Sequence, residues 1–563
     1  GGEVRERGVE RALVLLGEEI GELGDNTAAM RSAITNDELL HMALRSDGAE
    51  ATVLGHTRWA SVGIISEPNA HPVNSDELER PGNDQPYVTA TLNGDVDNFA
   101  DLIALEKLQI AGEITTDAKV IPTLVSRTLD QGHDLDEAVR RTVAQFEGSV
   151  AIGVSTSVAP DDVHLALRGS GQGVFVGQAE DCFVIASEPY GVVEDATSYM
   201  RMDGETAANP ENEVASRGQI IRVSGRLAGE RAGLHRFAYD GTPLPIDDVE
   251  WLPPAVTTRD IDRGDYRHYL LKEITESPNS FAKTLRGRLV DVGDELEVKL
   301  SSETLSDSVR GRIADATFER VVVIGQGTAA VAGEAVAAAF TWALDGSGVQ
   351  VTKTTATELS GFGLDDDMSR TLVVAISQSG TTTDTNRTVD LARSRGAVVL
   401  AIVNRRGSDL VDKSDGVLYT SDGRDVEMSV ASTKAFYSQV AAGALLSCAI
   451  AEASGLGDER RRTQLLASLR TIPDAMRTTL ERRESIAAAA SRLAPPKRYW
   501  AVVGNGPNKV AAEEVRIKLS ELCYKSMACD STEDKKHIDL SSEPLILVCA
   551  AGLEGSTADD VAK

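Results

Sequence analysis

The sequence has little of what a secreted, membrane-bound or nucleic-acid-binding protein needs. Its 563 residues include five cysteines with no CxxC pair, too few to cross-link a chain of this length. No cysteine has partners at zinc-binding spacing, so we expect no metal. No apolar run reaches the roughly 18 to 20 residues of a membrane helix. Lysine and arginine total 57 against 87 aspartates and glutamates, and the net charge of -30 repels nucleic acid and anionic membranes.

The remaining composition is that of a globular protein, with 42% hydrophobic and 26% charged residues. About 100 to 200 residues per domain predicts three or four units. The start, from Gly1 to Arg11, is polar and does not resemble a signal sequence. These features predict a soluble, cytoplasmic protein of several domains.

The chain changes character along its length. Residues 1–240 contain short strands such as YVTATLNGD, SVAIGVST and DVHLALRG between glycine and asparagine turns, which predicts a β-rich α+β domain. Residues 241–290 gather prolines and charges, as expected of a linker and lead-in helices. Residues 291–455 and 456–563 repeat an order of strand, turn and helix, which predicts α/β doubly wound parallel sheets that bind ligands at the carboxyl ends of their strands.

One turn occurs twice. VVVIGQGTAAVAGEAV at 321–336 and WAVVGNGPNKVAAEEV at 500–515 align, which predicts two copies of one α/β domain. Few strands follow in the second copy before Lys563, so we expect its far part to lie outside this sequence. A dinucleotide-binding fold is the alternative, but neither turn has a full GxGxxG and VQVTKTTATEL offers no acidic residue where a ribose would be held.

A polar loop, SQSGTT at 377–382, follows a buried apolar run and precedes a helix. Hydroxyls and backbone N–H groups at a helix N-terminus can hold a phosphate without a lysine. A simple polar turn with a Ser or Thr N-cap is the alternative. VASTKAF at 430–436, HYLLKEITESPNSF at 268–281 and KLSEL at 518–522 followed by KKHIDL supply further context.

Together these strings resemble the sugar isomerase (SIS) domains of the glutamine-fructose-6-phosphate aminotransferase family, also called glucosamine-6-phosphate synthases. The resemblance implies that the sugar phosphate is held by Thr328, Ser377, Gln378, Ser379 and Thr382, with Val430 and Ser432 near the sugar. It implies that Glu521 moves a proton between C1 and C2, a role that suits a carboxylate whose pKa is raised by burial. Lys518, one helical turn earlier, would support the enediolate charge, although a plain surface ion pair is the alternative.

The resemblance also implies that His537 opens the sugar ring and reaches its site from a neighbouring subunit, so a homodimer is expected. Two departures leave the sugar open. Ala329 stands where the family has a serine, and the loop around His537 reads Asp534-Lys-Lys-His-Ile-Asp539 instead of Glu-Leu-Lys-His-Gly-Pro. An aminotransferase acting on a different keto sugar phosphate is therefore an alternative.

Four strings in the first half, GHTRWASVG (55–63), NAHPV (69–73), LNGDVDNF (92–99) and TTDAKVI (115–121), resemble N-terminal-nucleophile glutamine amidotransferases. Their mechanism needs a guanidinium for the glutamine α-carboxylate, a carboxylate for its α-ammonium and donors for the oxyanion. The resemblance assigns these roles, in that order, to Arg58, to Asp117, and to the Asn93 side chain with the Gly94 N–H. It also implies that Trp59 covers the pocket and that His71 fixes the loop.

The family's nucleophile is a cysteine at the mature N-terminus. This sequence opens Gly1-Gly2-Glu3, and its first cysteine is Cys182. We expect residues to be missing ahead of Gly1, the alternative being an inactive glutaminase domain. Val62, where the synthases usually carry a histidine, is a second departure and suggests altered coupling between the halves.

The sequence thus predicts an enzyme that hydrolyses L-glutamine, channels the ammonia, and converts fructose 6-phosphate to glucosamine 6-phosphate without an organic cofactor. A regulator that binds sugar phosphate without turnover is the alternative from another class. The presence of both Glu521 and His537 argues against it, because a sensor needs no proton-transfer pair.

Overall fold

A computed structural model describes residues 25–46, 49–58, 62–78, 85–169, 171–254, 256–315, 318–523, 525–535 and 537–553. The side chains of residues 25–27, 537 and 538 lie outside that description. The chain divides into two compact units, Gly1–Thr258 and Arg259–Lys563. This division falls within the predicted linker, 241–290.

The first unit is built on antiparallel strands. Its strands are β1 (Val73–Asn74), β2 (Val88–Gly94), β3 (Val150–Thr156), β4 (Asp162–Arg168), β5 (Phe175–Gln178), β6 (Phe183–Ala186), β7 (Ser198–Arg201), β8 (Gln219–Ser224) and β9 (Leu234–Ala238). Its helices are α1 (Asp25–Asn36), α2 (Glu38–Leu44), α3 (Phe99–Glu106), α4 (Val120–Asp130), α5 (Leu135–Val143) and α6 (Glu213–Ser216). Within the described residues the main sheet has the order β1-β2-β3-β4-β8-β9, and a smaller sheet has the order β6-β5-β7.

Alternation along the strands separates two cores in this unit, because successive side chains of a strand point to opposite faces. On β3, Val150 and Ile152 join the core beneath α4 and α5, whereas Ala151 joins the core that includes Met200 of β7. The strands predicted from YVTATLNGD, SVAIGVST and DVHLALRG are present as β2, β3 and β4, and the structure pairs them antiparallel.

The second unit alternates strands and helices. Its helices are α7 (Thr258–Ile261), α8 (Tyr269–Leu285), α9 (Asp307–Ala314), α10 (Thr328–Ala343), α11 (Ala356–Glu358), α12 (Thr383–Ser394), α13 (Asp409–Asp412), α14 (Lys434–Ser454), α15 (Glu459–Leu480), α16 (Arg483–Leu493), α17 (Asn508–Cys523) and α18 (His537–Ser541). Its strands are β10 (Leu289–Val292), β11 (Glu295–Val298), β12 (Arg320–Gly325), β13 (Gln350–Thr355), β14 (Thr371–Ser377), β15 (Val398–Val403), β16 (Gly416–Tyr419), β17 (Trp500–Gly504), β18 (Ala528–Asp530) and β19 (Leu545–Cys549).

The larger sheet of this unit is parallel, with the order β13-β12-β14-β15-β16. Its apolar side chains are buried on both faces, against α10 and α14 on one side and α12 on the other. The predicted doubly wound parallel sheet is therefore confirmed. Strand order reverses between β12 and β14, so the carboxyl ends of these two strands flank the crevice where such sheets bind ligands.

The turn that occurs twice in the sequence has the same backbone in both places. Gly327 and Gly506 have φ values of 54° and 55°, in the left-handed region that glycine favours. A Cβ on Gly325 would lie 2.8 Å from the carbonyl carbon of Ala329, and one on Gly504 would lie 2.8 Å from that of Asn508. Both turns thus bring the start of the next helix against the end of the preceding strand, which is β12 in the first copy and β17 in the second. The strand β17 is the middle strand of a smaller sheet with the order β18-β17-β19.

Helix α14 corrects one expectation from the sequence. It is 21 residues long and apolar enough to cross a membrane by length and composition, contrary to the prediction that no such run exists. In the structure, 83% of its apolar window is buried, and Leu446 and Ile450 pack in the core beneath the parallel sheet. Small residues, among them Gly443, allow this close packing, since a Cβ there would lie 2.7 Å from a Val336 methyl.

Candidate active site

The SQSGTT loop joins the end of β14 to the start of α12 at the crevice between β12 and β14. Its hydroxyls bond within the loop: Ser377 Oγ lies 3.2 Å from Thr382 Oγ1, and Ser379 Oγ lies 2.9 Å from Thr381 Oγ1. The N–H of Gly380 donates to Ser377 Oγ at 3.0 Å. These donors and hydroxyls converge at a helix N-terminus, the arrangement that suits an oxyanion.

Gly380 is required by the shape of this loop. Its φ of +69° is left-handed, and a Cβ there would overlap Ser408 Oγ and lie 2.6 Å from Ser408 Cβ. Its carbonyl accepts hydrogen bonds from Asn386 Nδ2 at 3.1 Å and from the Leu410 N–H at 3.0 Å. Within the described chain, Gln378 Oε1 is buried without a hydrogen-bond partner, so this amide has capacity for a ligand.

Among the described residues, the Thr328 hydroxyl bonds to side chains of α17 and not to the hydroxyls of SQSGTT. Its Oγ1 accepts from Lys518 Nζ at 2.9 Å and donates to Glu514 Oε1 at 3.3 Å. Lys518 Nζ also lies 3.3 Å from Glu521 Oε2, so the spacing of these two residues does place them on one helix face. The first residue of α10 is thereby tied to the helix that carries the predicted base.

Ser432 and Val430 belong to a loop that is held by carboxylates. Glu427 accepts hydrogen bonds from Ser432 Oγ at 2.9 Å and from the N–H groups of Thr433 and Ala435 at 2.7 and 3.0 Å, at the start of α14. Burial raises the pKa of Glu427 above its ordinary value, and these three bonds oppose that rise. Val430 is 68% exposed, which leaves apolar surface accessible to a ligand or a partner.

Helix α8 fixes the same loop from a distance in sequence. Its fully buried Glu273 accepts from the Met428 N–H at 2.5 Å and from the Ser429 N–H at 3.1 Å. Glu276 Oε2 accepts from Lys434 Nζ at 2.7 Å. This helix, which the sequence analysis placed in the lead-in region 241–290, therefore positions the loop that carries Val430 and Ser432.

The structure places His537 at the first position of α18. Its side chain lies outside the described part of the chain, so its predicted role in ring opening stays a prediction.

In the first unit, Asn93 and Gly94 end strand β2. The Asn93 side chain is exposed, and Gly94 has a φ of +114° at which a Cβ would overlap Ser149 O. The strand turns here, and Asp117 lies at the turn, with Oδ2 accepting from the Val96 N–H at 2.8 Å. The predicted oxyanion donors and the predicted ammonium ligand are thus brought to the same end of the sheet.

Asp117 is buried, and burial raises its pKa above the ordinary value. The charge of Arg58 interacts with Asp117, while burial lowers the pKa of the guanidinium. Arg58 Nη1 donates to Ile64 O at 3.1 Å, and Nη2 donates to Val62 O. A guanidinium has five N–H donors, so these two bonds leave others for a ligand carboxylate.

His71 bridges two strings that lie apart in the sequence. Its Nδ1 accepts from the Leu92 N–H and its Nε2 lies beside Thr116 Oγ1, both at 3.4 Å. Burial, with the nearby His56 and Arg58, lowers the pKa of His71 to about 3, so the ring is neutral and suited to a structural role. Trp59, predicted to cover the pocket, lies outside the described residues.

The chain matches the SIS domain family model over residues 313–449. It is 31% identical over 497 residues to the glutamine--fructose-6-phosphate aminotransferase [isomerizing] of Symbiobacterium thermophilum, covering 86% of this chain and 72% of that one. It is 32% identical over 512 residues to the protein of the same name from Streptomyces coelicolor, covering 89% and 74%. This chain belongs to the glutamine--fructose-6-phosphate aminotransferase family.

Among solved structures, the C-terminal domain of glucosamine-fructose-6-phosphate aminotransferase from Francisella tularensis is similar to 54% of this chain and 82% of its own, at 25% identity and a TM-score of 0.46. In the described residues of this aminotransferase-family chain, no group of three His, Cys, Asp or Glu side chains could hold a metal ion.

Sequence reasoning on this aminotransferase-family chain missed the carboxylates that organise the site: Glu273, Glu276, Glu427 and Glu514. Three of them act on the loop before α14 or on the first turn of α14, and Glu273 does so across 155 positions, which no local pattern reveals. Glu514 had a signal, since it lies four residues before Lys518 and seven before Glu521 on one helix face.

Asn69 was also missed in the glutamine half, although NAHPV was recognised. It is fully buried, and its Oδ1 accepts from the N–H groups of Thr115 and Thr116 at 2.7 and 2.8 Å. Its Nδ2 donates to Ser66 Oγ at 2.7 Å. One amide thus connects the loop after Arg58 to the segment that carries Asp117.

Proposed function

We propose that this protein transfers the amide nitrogen of glutamine to fructose 6-phosphate and isomerises the product to glucosamine 6-phosphate. Membership of the aminotransferase family over 86% of the chain carries this proposal. The SQSGTT loop supports it, because its hydroxyls and N–H groups suit an oxyanion and it lies where the strand order of the parallel sheet reverses. The Lys518–Glu521 pair on α17 supports it as well.

In the sugar half, the phosphate is held by the SQSGTT hydroxyls, which exchange their bonds within the loop for bonds to phosphate oxygens. Glu521 Oε2, on a side chain that is 40% exposed, is accessible to a substrate. It removes the proton from one of the carbons C1 and C2 and returns it to the other. Lys518 then stabilises the negative charge that develops on the enediolate oxygen. His537 opens the sugar ring.

In the glutamine half, an N-terminal-nucleophile glutaminase domain binds glutamine by its α-amino acid group. Arg58 uses its remaining N–H donors for the carboxylate, and Asp117 accepts from the ammonium. Asn93 and the Gly94 N–H stabilise the oxyanion, and the ammonia released aminates the sugar bound in the second unit. Trp59 closes over the glutamine, and His71 holds the loop.

The experiment that tests the sugar chemistry is hydrogen exchange at C1 of fructose 6-phosphate in D₂O, followed by NMR, because it reports the proton transfer without requiring ammonia. Glu521→Gln removes the base and should lower the exchange rate by about 100-fold or more. Glu484→Gln, the same change at an exposed position of α16, is the control and should exchange at the wild-type rate. Equal rates in the two variants would exclude Glu521 as the base.

A second candidate is the same chemistry on a different keto sugar phosphate. Ala329 favours it, because it supplies no hydroxyl beside Thr328, and the Thr328 hydroxyl is engaged by Lys518. Comparing C1 exchange for ketose phosphates of five, six and seven carbons decides between the two: the proposal for fructose 6-phosphate fails if another ketose gives the larger kcat/KM.

We also propose that the protein acts in the cytoplasm as a homodimer in which His537 serves the partner's site. The first measurement is the mass in solution, which we expect to be that of a dimer. Mixing His537→Ala with Glu521→Gln subunits should restore exchange in mixed dimers, because one site of each then has both groups. A failure to restore exchange would place His537 and Glu521 of one chain in the same site.

A further inference from the structure

Five side chains form a polar cluster where α10, α14 and α17 meet: Thr328, Tyr437, Glu514, Lys518 and Glu521. Lys518 lies at its centre, with Nζ 2.9 Å from Thr328 Oγ1, 3.3 Å from Glu521 Oε2 and 3.5 Å from Glu514 Oε1. The Thr328 hydroxyl donates a hydrogen bond to Glu514 Oε1 at 3.3 Å. The lysine is thus shared between two carboxylates with different surroundings.

The two carboxylates differ in their access to water. The Glu514 side chain is 11% exposed, whereas the Glu521 side chain is 40% exposed. Within the described part of the chain, Glu514 Oε2 is buried without a hydrogen-bond partner. A charged oxygen in that position would lack compensation, while a protonated one carries its own hydrogen.

The net charge of this cluster favours one bound proton. With both glutamates ionised, one ammonium faces two carboxylates and the cluster carries a net charge of about -1, beside a substrate that is itself an anion. With a proton on the more buried Glu514, the ammonium and Glu521 balance. Two carboxylates whose surroundings separate their proton affinities are the usual basis for distinct acid and base roles.

We propose that Glu514 is a positioning residue which, by holding this proton, leaves the charge of Lys518 available to the substrate oxygen and keeps Glu521 ionised as the base. The proposal rests on the proposed function. Glu514 acts through Lys518 and Thr328 and needs no contact with the substrate. Ionisation of Glu514 would draw the ammonium toward itself and add a negative charge where the enediolate forms.

The cluster therefore makes proton transfer sensitive to pH near neutrality. Burial raises the pKa of Glu514 from 4.5 to about 7; Lys518 and the Thr328 hydroxyl oppose the rise, and the charge of Glu521 adds to it. Among the described residues, the other titratable group that faces Glu514 is Tyr437 from α14, whose pKa is raised by burial and by Glu514 itself. From α10, the described residue that faces Glu514 is the neutral Thr328. As pH rises through this range, Glu514 loses its proton and kcat/KM should fall.

The test is the pH profile of C1 hydrogen exchange in fructose 6-phosphate for the full chain. In the wild type, kcat/KM should fall above neutrality, by up to about tenfold per pH unit if only the protonated form is productive. Glu514→Gln keeps the shape and a fixed N–H donor, so this fall should disappear. Glu513→Gln, the same change one residue earlier in a side chain paired with Arg516 at 3.2 Å, should keep the wild-type profile.

A second variant removes the hydrogen bond that Thr328 of α10 donates to Glu514. Thr328→Val removes the hydroxyl that favours ionised Glu514, so the fall in kcat/KM should move to higher pH. A purely structural role for Glu514 would lower activity at every pH without moving the profile, and that result overturns the proposal. An unchanged profile in both variants overturns it while leaving the proposed function intact. A wild-type protein that exchanges no C1 hydrogen overturns the proposed function and this proposal with it.

Discussion

Replacing Gly380 by alanine tests whether the SQSGTT loop, which we propose holds the phosphate, is fixed by its backbone shape. The residue has a φ of +69°, and a left-handed conformation costs a residue with a Cβ about 1–2 kcal/mol. The new methyl would also overlap Ser408 Oγ and lie 2.6 Å from Ser408 Cβ and 3.0 Å from Val403 Cγ2. Overpacking of this kind costs about 1–3 kcal/mol, so Gly380→Ala should lose about 2–5 kcal/mol of the free energy of unfolding.

Gly407 offers a matched control. Its φ of +62° carries the same backbone cost, but a Cβ there would have no atom within 4 Å. Gly407→Ala should therefore lose only about 1–2 kcal/mol. Urea unfolding of both variants measures the difference, and titration calorimetry with fructose 6-phosphate measures whether the clash reaches the ligand, with an affinity loss of about tenfold or more expected for Gly380→Ala alone.

Ser408→Gly supplies the rescue. In the double variant with Gly380→Ala, the Ser408 Oγ and Cβ atoms are absent, so most of the overpacking cost should be recovered while the backbone cost remains. Equal unfolding free energies and equal affinities for Gly380→Ala and Gly407→Ala would refute the claim that close packing against Ser408 shapes the loop.

Three further predictions concern one amide, Asn69, and two carboxylates, Glu427 and Glu514. Asn69→Ala leaves the N–H groups of Thr115 and Thr116 without their acceptor. It should lower the free energy of unfolding in urea by about 2–4 kcal/mol and raise the KM for glutamine; unchanged values would contradict its bridging role. Glu427→Gln replaces an acceptor of four hydrogen bonds by an amide and should cost about 1–2 kcal/mol, with weaker sugar-phosphate binding in calorimetry. For Glu514, the folded protein keeps a proton that the unfolded chain loses above pH 4.5, so the wild type loses stability as pH rises from 4.5 to about 7. Relative to the wild type, Glu514→Gln should then gain about 3 kcal/mol between pH 4.5 and 8 in urea unfolding, and a constant difference across that range would contradict the proton assignment.

Much of the fold follows from local pattern. SVAIGVST predicted a strand of a β-rich domain, and TLVVAIS predicted a buried strand followed by a polar loop; the structure has them as β3 and β14. The two glycine turns were predicted as copies, and Gly327 and Gly506 share one φ value within 1°. These features depend on neighbours close in sequence, where the period of the side chains is decisive.

Contacts over long distances in sequence could not be predicted. Thr328 was placed with the phosphate on resemblance, whereas its hydroxyl bonds to Lys518, 190 residues away. Arg58 donates to the carbonyls of Val62 and Ile64, which depends on how one loop folds back on itself. α14 was not expected to reach the apolarity of a membrane helix, because scattered polar residues such as Ser438 and Gln439 interrupt its sequence; both are buried in the structure.

The hold of α8 on the loop before α14 has a consequence for protein engineering. Residues 426–434 cannot be exchanged as an independent cassette to change sugar preference, since Glu273 and Glu276 fix the backbone at Met428 and the side chain at Lys434 from more than 150 positions away. A transplanted loop with different hydrogen-bonding demands would leave buried Glu273 unpaired, a costly defect. Chimeras and directed-evolution libraries should therefore vary α8 and this loop together.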